Sequence, residues 1–437
     1  MTVIQSIKKG KIPEFLCKIA DREEISVDYL VEKILNGRVV VPYNPIHSPS
    51  KPTAIGEGLY VKINVNLGTS QDKEDLGLEI EKLELAHKLE ADAVMDLSVS
   101  GDLDAIRREL ISRSQLPLGT VPIYQVAIEA GKNKGNIARA HEEDFFEVLE
   151  KQAKDGVDFF TIHAGITRDT LQLLKRSTRL LGVVSRGGAL LVEWMVLNKS
   201  ENPFYANFDR VLEICREYDV TISLGDALRP GSIFDAGDEL QYQETFVVSQ
   251  LVRRAREAGV QVMVEGPGHV PLNKVEHEIK AIKEITSYAP LYVLGPLVLD
   301  SCAGYDHINS AIGAAIAGLA GADFICYLTP AEHLSLPDIE DVRQGIMASR
   351  IAAESVNFVR GKGRTHIREQ EVSKARASRD WQKQMEFILD RERAIEYRSK
   401  IPPHVSDTCS MCSEYCSLKI VEQALRSEMK KSDILRA

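Results

Sequence analysis

The sequence predicts an α/β fold: a (β/α)8 TIM-type barrel with a small N-terminal cap, C-terminal helices and a cysteine-bearing tail. Three observations predict the barrel. Apolar, β-branched runs recur at 60–66, 91–97, 120–124, 157–163, 181–185, 220–224, 260–265, 291–294 and 323–327. Amphipathic stretches such as 72–90, 142–155, 208–218 and 239–258 lie between most of them. Such strand–helix alternation reads as parallel β/α units, and runs that are apolar throughout suit strands covered on both faces. Third, nearly every run ends in a side chain able to do chemistry, and barrels build their sites from the C-terminal ends of their strands. Nine runs compete for eight places, so one of them is an extra strand.

The elements follow in order. Residues 1–55, rich in Pro, Lys and Val, predict a small cap, and the first ten residues do not have the pattern of a signal peptide. Residues 56–335 form the predicted barrel with its substrate and metal site. Residues 336–400 form a helical region with two long stretches, 337–360 and 367–400. The second is highly charged, with Trp381, Met385, Ile388 and Leu389 at helical spacing. Pro402-Pro403 breaks the helix, leaving 401–437 as a mobile, cysteine-bearing tail.

The strand-end residues are Asn66, Met95-Asp96, Tyr124, His163, Ser185-Arg186-Gly187, Asp226, Glu265 and, past the last run, Thr329 with His333. A single polar residue there is usually a turn or a cap, but eight sets converging are hard to explain as capping. Glu265-Gly-Pro-Gly-His269 turns the backbone tightly and brings a carboxylate and an imidazole to one rim. His269 and His333, on adjacent loops, could hold one divalent metal with positions left open, although either alone reads as an ordinary surface histidine. Arg186 and Arg229 sit in glycine-flanked loops suited to an anionic substrate. Tyr305-Asp306-His307 precedes a small-residue helix that Asp306 is expected to cap.

Near the end of the chain, Cys409-x2-Cys412-x3-Cys416 can supply three thiolates to a [4Fe–4S] cluster and leave one iron open to bind and reduce a ligand. Zinc is the competing reading, because His404 would complete a Cys3His set. The other four cysteines are scattered, which predicts a reduced, cytoplasmic protein without a disulfide framework. A net charge of −10 without a long basic run disfavours nucleic acid as a partner, and no apolar stretch has membrane length.

From residue 66 to about 420 the chain resembles the phosphomethylpyrimidine synthase family of radical S-adenosylmethionine enzymes. The resemblance rests on Ala-Val-Met-Asp-Leu-Ser, Gly-Thr-Val-Pro-Ile-Tyr-Gln, Phe-Thr-Ile-His-Ala-Gly, Val-Ser-Arg-Gly-Gly, Glu-Gly-Pro-Gly-His-Val-Pro, Gly-Tyr-Asp-His-Ile and Cys-Ser-Met-Cys, in that order. It implies that Cys409, Cys412 and Cys416 bind a [4Fe–4S] cluster and that His269 and His333 bind zinc or iron. Asn66, Met95, Tyr124, His163, Ser185, Arg186, Gly187, Asp226, Arg229, Glu265 and Tyr292 would hold 5-aminoimidazole ribotide. It further implies reductive cleavage of S-adenosylmethionine, an external electron donor, and a homodimer that exchanges its C-terminal tails. Glu265 is the nearest candidate for an acid or base.

Three departures from the family pattern bear on the product. Asp-Gly-Leu-Arg reads Asp226-Ala-Leu-Arg229, Thr-Asp-Ile-Ala-Pro reads Leu299-Asp-Ser-Cys-Ala303, and Ser-Thr-Gly-Gly reads Ser98-Val-Ser-Gly101. With the catalytic set intact, these changes point to the paralogous 5-hydroxybenzimidazole synthases, which make the lower-ligand base of cobalamin from the same ribotide. Synthesis of the thiamin pyrimidine is the alternative, and a non-catalytic zinc-binding barrel scaffold is a remote third.

Overall fold

The computed structural model describes residues 1–434. The chain divides into two compact units, 1–359 and 360–437. In the first, a two-stranded antiparallel ribbon (β1, Val39–Val40; β2, Ile55–Gly56) precedes eight parallel strands. These are β3 (Lys62–Leu67), β4 (Ala93–Asp96), β5 (Leu118–Thr120), β6 (Phe159–Ile162), β7 (Thr221–Leu224), β8 (Val262–Gly266), β9 (Leu291–Leu294) and β10 (Phe324–Cys326). They pair in sequence order, and β10 closes onto β3 through Phe324–Lys62, Ile325–Ile63 and Cys326–Asn64. The fold is the (β/α)8 barrel expected.

The strands are short because each needs to cross only the barrel wall, and all but three of their residues are buried. Helices cover the outside with one apolar face. The helix Phe208–Tyr218, for example, buries Phe208, Val211, Leu212, Ile214 and Cys215 at the i, i+3, i+4 spacing that a barrel-facing stripe requires.

The N-terminal cap has its own core, in which Leu16, Ile19, Leu30 and Ile34 are fully or almost fully buried. It is tied to the barrel by polar contacts. Lys62 pairs with Glu23 at 2.8 Å, and Gln261 exchanges two hydrogen bonds with the backbone of Val41.

The supernumerary run is 181–185. β6 pairs directly with β7, so no place exists for a strand between them. Leu180, Leu181 and Val184 are instead exposed, and Asp235 accepts the N–H groups of Leu180 and Leu181. The run 120–124 also ends early. Val121-Pro122 turns the chain, and Pro122, which has no N–H to lose, opens the helix Pro122–Lys134. Tyr124 therefore projects from a first helical turn.

In the second unit the expected long helix over 367–400 is three helices: Gly363–Ser378, Trp381–Phe387 and Arg391–Lys400. The first break is a left-handed Arg379 (φ 59°), the second an extended Ile388, and Asp380 and Asp390 cap the helices that follow. Among the described residues no helix is long and apolar enough to cross a membrane.

Candidate active site

At the C-terminal mouth of the barrel lies a cavity open to solvent. Nine of the eleven residues expected to hold substrate line it: Asn66, Met95, Tyr124, His163, Ser185, Asp226, Arg229, Glu265 and Tyr292. The other two stand just behind. The Arg186 guanidinium lies 5.1 Å from the centre of the Tyr124 ring, and Gly187 abuts the His163 imidazole so closely that a Cβ would fall 2.4 Å from it. Only glycine permits that approach.

The cavity floor is polar although it is the barrel interior. Glu265 Oε1 accepts hydrogen bonds from Thr161 Oγ1 (2.8 Å) and Ser223 Oγ (3.0 Å). Asn64 donates to both Asn66 and Tyr292 at 2.9 Å, and Asn66 donates to the Cys326 sulphur at 3.2 Å. Thr161, Ser223 and Asn64 lie within strands rather than at their ends, so attention to strand ends alone missed them. The alternation of side chains along a strand is the signal that could have found them.

Burial sets the charges. It pushes the His163 imidazole down to about 3, with the Arg229 charge adding to the effect, so this histidine is neutral. Its Nε2 meets Ser185 Oγ at 3.0 Å, while Nδ1 is buried without a partner. Burial lifts the Asp226 carboxyl to about 8 against the opposing pull of Arg229. Arg229 donates to Asp226 Oδ1 at 3.0 Å, leaving Oδ2 buried and unpaired. Glu265 is raised by burial as well, with its hydroxyl donors and Arg229 opposing. Buried polar atoms are nearly always satisfied in folded proteins, so two unpaired ones on residues that line a cavity mark a place for a polar ligand.

Glu244, on the helix Glu239–Glu257, is a residue that sequence reasoning missed. Its carboxylate accepts the N–H groups of Ala227 (2.8 Å) and Leu228 (2.7 Å) and holds the loop that presents Asp226 and Arg229. It lies 17 and 16 residues beyond these partners, on the helix that follows their loop, and no local motif announces it.

Beside the cavity, the His269 and His333 rings lie 5.8 Å apart, centre to centre. Each Nδ1 meets a carboxylate: His269 that of Asp300 at 2.8 Å, His333 that of Asp306 at 3.0 Å. Asp306 is therefore not the expected side-chain cap. It is the first residue of the helix Asp306–Ala320 and binds His333 instead. A carboxylate on Nδ1 leaves Nε2 as the coordinating nitrogen and raises its basicity, the usual arrangement behind metal-bound histidines. The pair fits a metal held by two protein ligands. Among the described residues no three His, Cys, Asp or Glu side chains form a ready-made cage.

The three departures lie outside the cavity lining. Ala227 is fully buried, and its methyl packs against Gly188, where an added Cβ would come within 2.8 Å of it. Leu299 is half exposed, and Cys302 lies in the loop after it. Ser98 Oγ accepts the N–H of Thr69 from the loop after β3.

In the unit 360–437, Cys409, Cys412 and Cys416 are free thiols, each partly buried. The loop that carries them is held from below. Arg398 stacks on Trp381 at 3.7 Å and donates to the carbonyls of Ser406 and Thr408, while Asp407 receives Arg379 (3.2 Å) and Lys419 (3.0 Å). The Cys412 N–H is the first cause lowering the Cys409 thiol, and the Cys409 charge in turn raises Cys412.

Residues 2–423 match the Radical SAM ThiC family. A phosphomethylpyrimidine synthase of Archaeoglobus fulgidus is 50% identical over 430 residues, covering 98% of this chain and 100% of that one. One from Caldanaerobacter subterraneus subsp. tengcongensis is 49% identical, covering 97% and 98%, and one from Methanocaldococcus jannaschii is 47% identical, covering 97% and 99%. These relatives overturn the expectation of a 5-hydroxybenzimidazole synthase acting for cobalamin. The argument from Ala227, Leu299 and Cys302 fails for a physical reason: none of the three lines the cavity.

Proposed function

The chain belongs to the Radical SAM ThiC family, and we propose that it is a phosphomethylpyrimidine synthase of thiamin biosynthesis. Its substrate would be 5-aminoimidazole ribotide and its product 4-amino-5-hydroxymethyl-2-methylpyrimidine phosphate. Membership of this family makes it a radical S-adenosylmethionine enzyme, a class that uses a [4Fe–4S] cluster, S-adenosylmethionine and an electron donor. The observation that carries the reading is the likeness to named phosphomethylpyrimidine synthases along almost the whole of both chains.

The residues at the mouth can do what such a substrate requires. Arg229 supplies a half-buried cation, and Arg186 opens the helix Arg186–Asn198, whose N-terminal N–H groups favour an anion such as the ribotide phosphate. His163, neutral, offers Nδ1 to the ligand, and Asp226, protonated below about pH 8, offers Oδ2. Asn66, Tyr292 and Glu265 form a hydrogen-bonding floor, while Met95 and Tyr124 wall the cavity. Glu265, raised by burial, is the candidate to take or give a proton.

Cys409, Cys412 and Cys416 would hold the cluster, which when bound supplies the electron that cleaves S-adenosylmethionine. His269 and His333 would hold a zinc or iron ion, which when bound anchors the amino-acid end of S-adenosylmethionine. The test is anaerobic incubation of the reconstituted enzyme with ribotide, S-adenosylmethionine and dithionite. Recovery of the pyrimidine phosphate with 5′-deoxyadenosine is expected, and 5-hydroxybenzimidazole as the sole product would refute the proposal.

A further inference from the structure

Asp300 joins two parts of the mouth that the sequence keeps apart. It lies in the loop between β9 and the helix Asp306–Ala320, and its carboxylate reaches partners on two other loops. Oδ1 meets His269 Nδ1 at 2.8 Å. Oδ2 accepts from Ser232 Oγ at 2.8 Å, and the Ile233 N–H is shared between both oxygens, at 3.1 Å to Oδ2 and 3.2 Å to Oδ1. Ser232 and Ile233 belong to the loop after β7 that begins with Asp226 and Arg229. The same loop touches the metal-site loop a second time, where the His269 N–H donates to the Pro230 carbonyl at 3.2 Å. Asp306, by contrast, meets His333 Nδ1 and no residue of the 226–233 loop among the hydrogen bonds of the described residues. The two carboxylates behind the two imidazoles are therefore unequal.

We infer that Asp300 is a positioning residue that couples the metal site to the anion-binding loop, so that the metal and the phosphorylated substrate each strengthen the binding of the other. One carboxylate cannot turn its Oδ1 toward His269 without fixing where it holds Ser232 and Ile233. A metal that locks the His269 ring thereby locks the loop carrying Arg229. Linkage makes the effect reciprocal, and couplings of this kind are commonly about fivefold or more in affinity. The inference rests on His269 and His333 holding the metal and on the cavity holding the ribotide.

Three isosteric or near-isosteric variants separate the links. Zn2+ affinity would be measured by competition with a chromogenic chelator, and ribotide affinity by calorimetry with and without Zn2+, on the full chain. In the wild type, Zn2+ should tighten ribotide binding. Asp306→Asn should weaken Zn2+ by about 10–100-fold, as loss of a carboxylate behind a ligand does, while metal-free ribotide affinity stays at the wild-type value. Ser232→Ala should leave Zn2+ affinity unchanged and reduce the coupling. Asp300→Asn should weaken Zn2+, weaken ribotide in the metal-free protein and abolish the coupling, with an unchanged circular dichroism spectrum. Wild-type coupling in Asp300→Asn, or no coupling in a wild type that binds both ligands, overturns the inference alone. A wild type whose Zn2+ binding is unaffected by His269→Ala overturns the metal-site reading beneath it.

Discussion

At the barrel mouth His163 is 3% exposed, burial draws Asp226 far from its usual ionisation and raises Glu265, and these side chains line one cavity. In the cysteine-bearing unit the loop is open: Met411 is 92% exposed and Tyr415 84%, with three free thiols between and beside them. The first region is organised by packing, with desolvated charges held by protein partners. The second is organised at its base by Arg379, Arg398 and Asp407, while its thiols await a partner that the polypeptide does not supply. Metal binding and folding are coupled where ligands are not preformed. The difference teaches that substrate recognition is written into the barrel, whereas radical generation depends on an assembled cofactor.

The largest expected effect separates these two properties. Cys412→Ala should abolish 5′-deoxyadenosine formation, measured by chromatography after dithionite reduction, and leave ribotide affinity at the wild-type value. Residual deoxyadenosine production would refute the cysteine assignment. Arg229→Met should do the reverse. It removes the half-buried cation from the cavity and leaves Asp226 without its donor, a loss of about 2–5 kcal/mol of ribotide binding by calorimetry. Wild-type affinity would mean that the phosphate lies elsewhere.

A smaller effect tests the desolvation itself. Asp226 ionises near 3.8 in an unfolded chain and about 8 in the fold, so between those values the folded chain binds more protons. Its contribution to stability is complete below the unfolded value and is lost as pH rises through the folded one. Asp226→Asn should therefore flatten the fall in thermal stability between about pH 5 and 8, by at most about 1.4 kcal/mol per pH unit. Glu244, also lifted to about 8 by burial, acts in the same sense and should leave part of the slope in place. An unchanged slope would mean that Asp226 is ionised in the fold.

The helices Glu142–Asp155 and Phe208–Tyr218 were legible to the residue, because an apolar stripe at helical spacing ends at Gly156 in one and at a left-handed Asp219 in the other. The run 181–185 misled because apolar composition alone does not distinguish a strand from an exposed loop pinned by Asp235. The 367–400 stretch misled because a left-handed Arg379 leaves no mark in composition. At the site, eight of the nine cavity residues were readable at or after the ends of strand-like runs, whereas Tyr292, inside β9, was legible only through the family resemblance. Glu244 and Asp300 were not. Their partners lie 16 and 17 residues away, and 31, 67 and 68, and a single sequence does not pair a carboxylate with a distant amide or imidazole.

The central claim is that the barrel mouth is a complete ribotide site before any cluster is assembled. Calorimetric titration of 5-aminoimidazole ribotide into the iron-free chain tests it most directly. One ribotide per chain, bound with the affinity of the reconstituted enzyme and lost in Arg229→Met, is the result expected. Binding that appears only after the cluster has been rebuilt would contradict it.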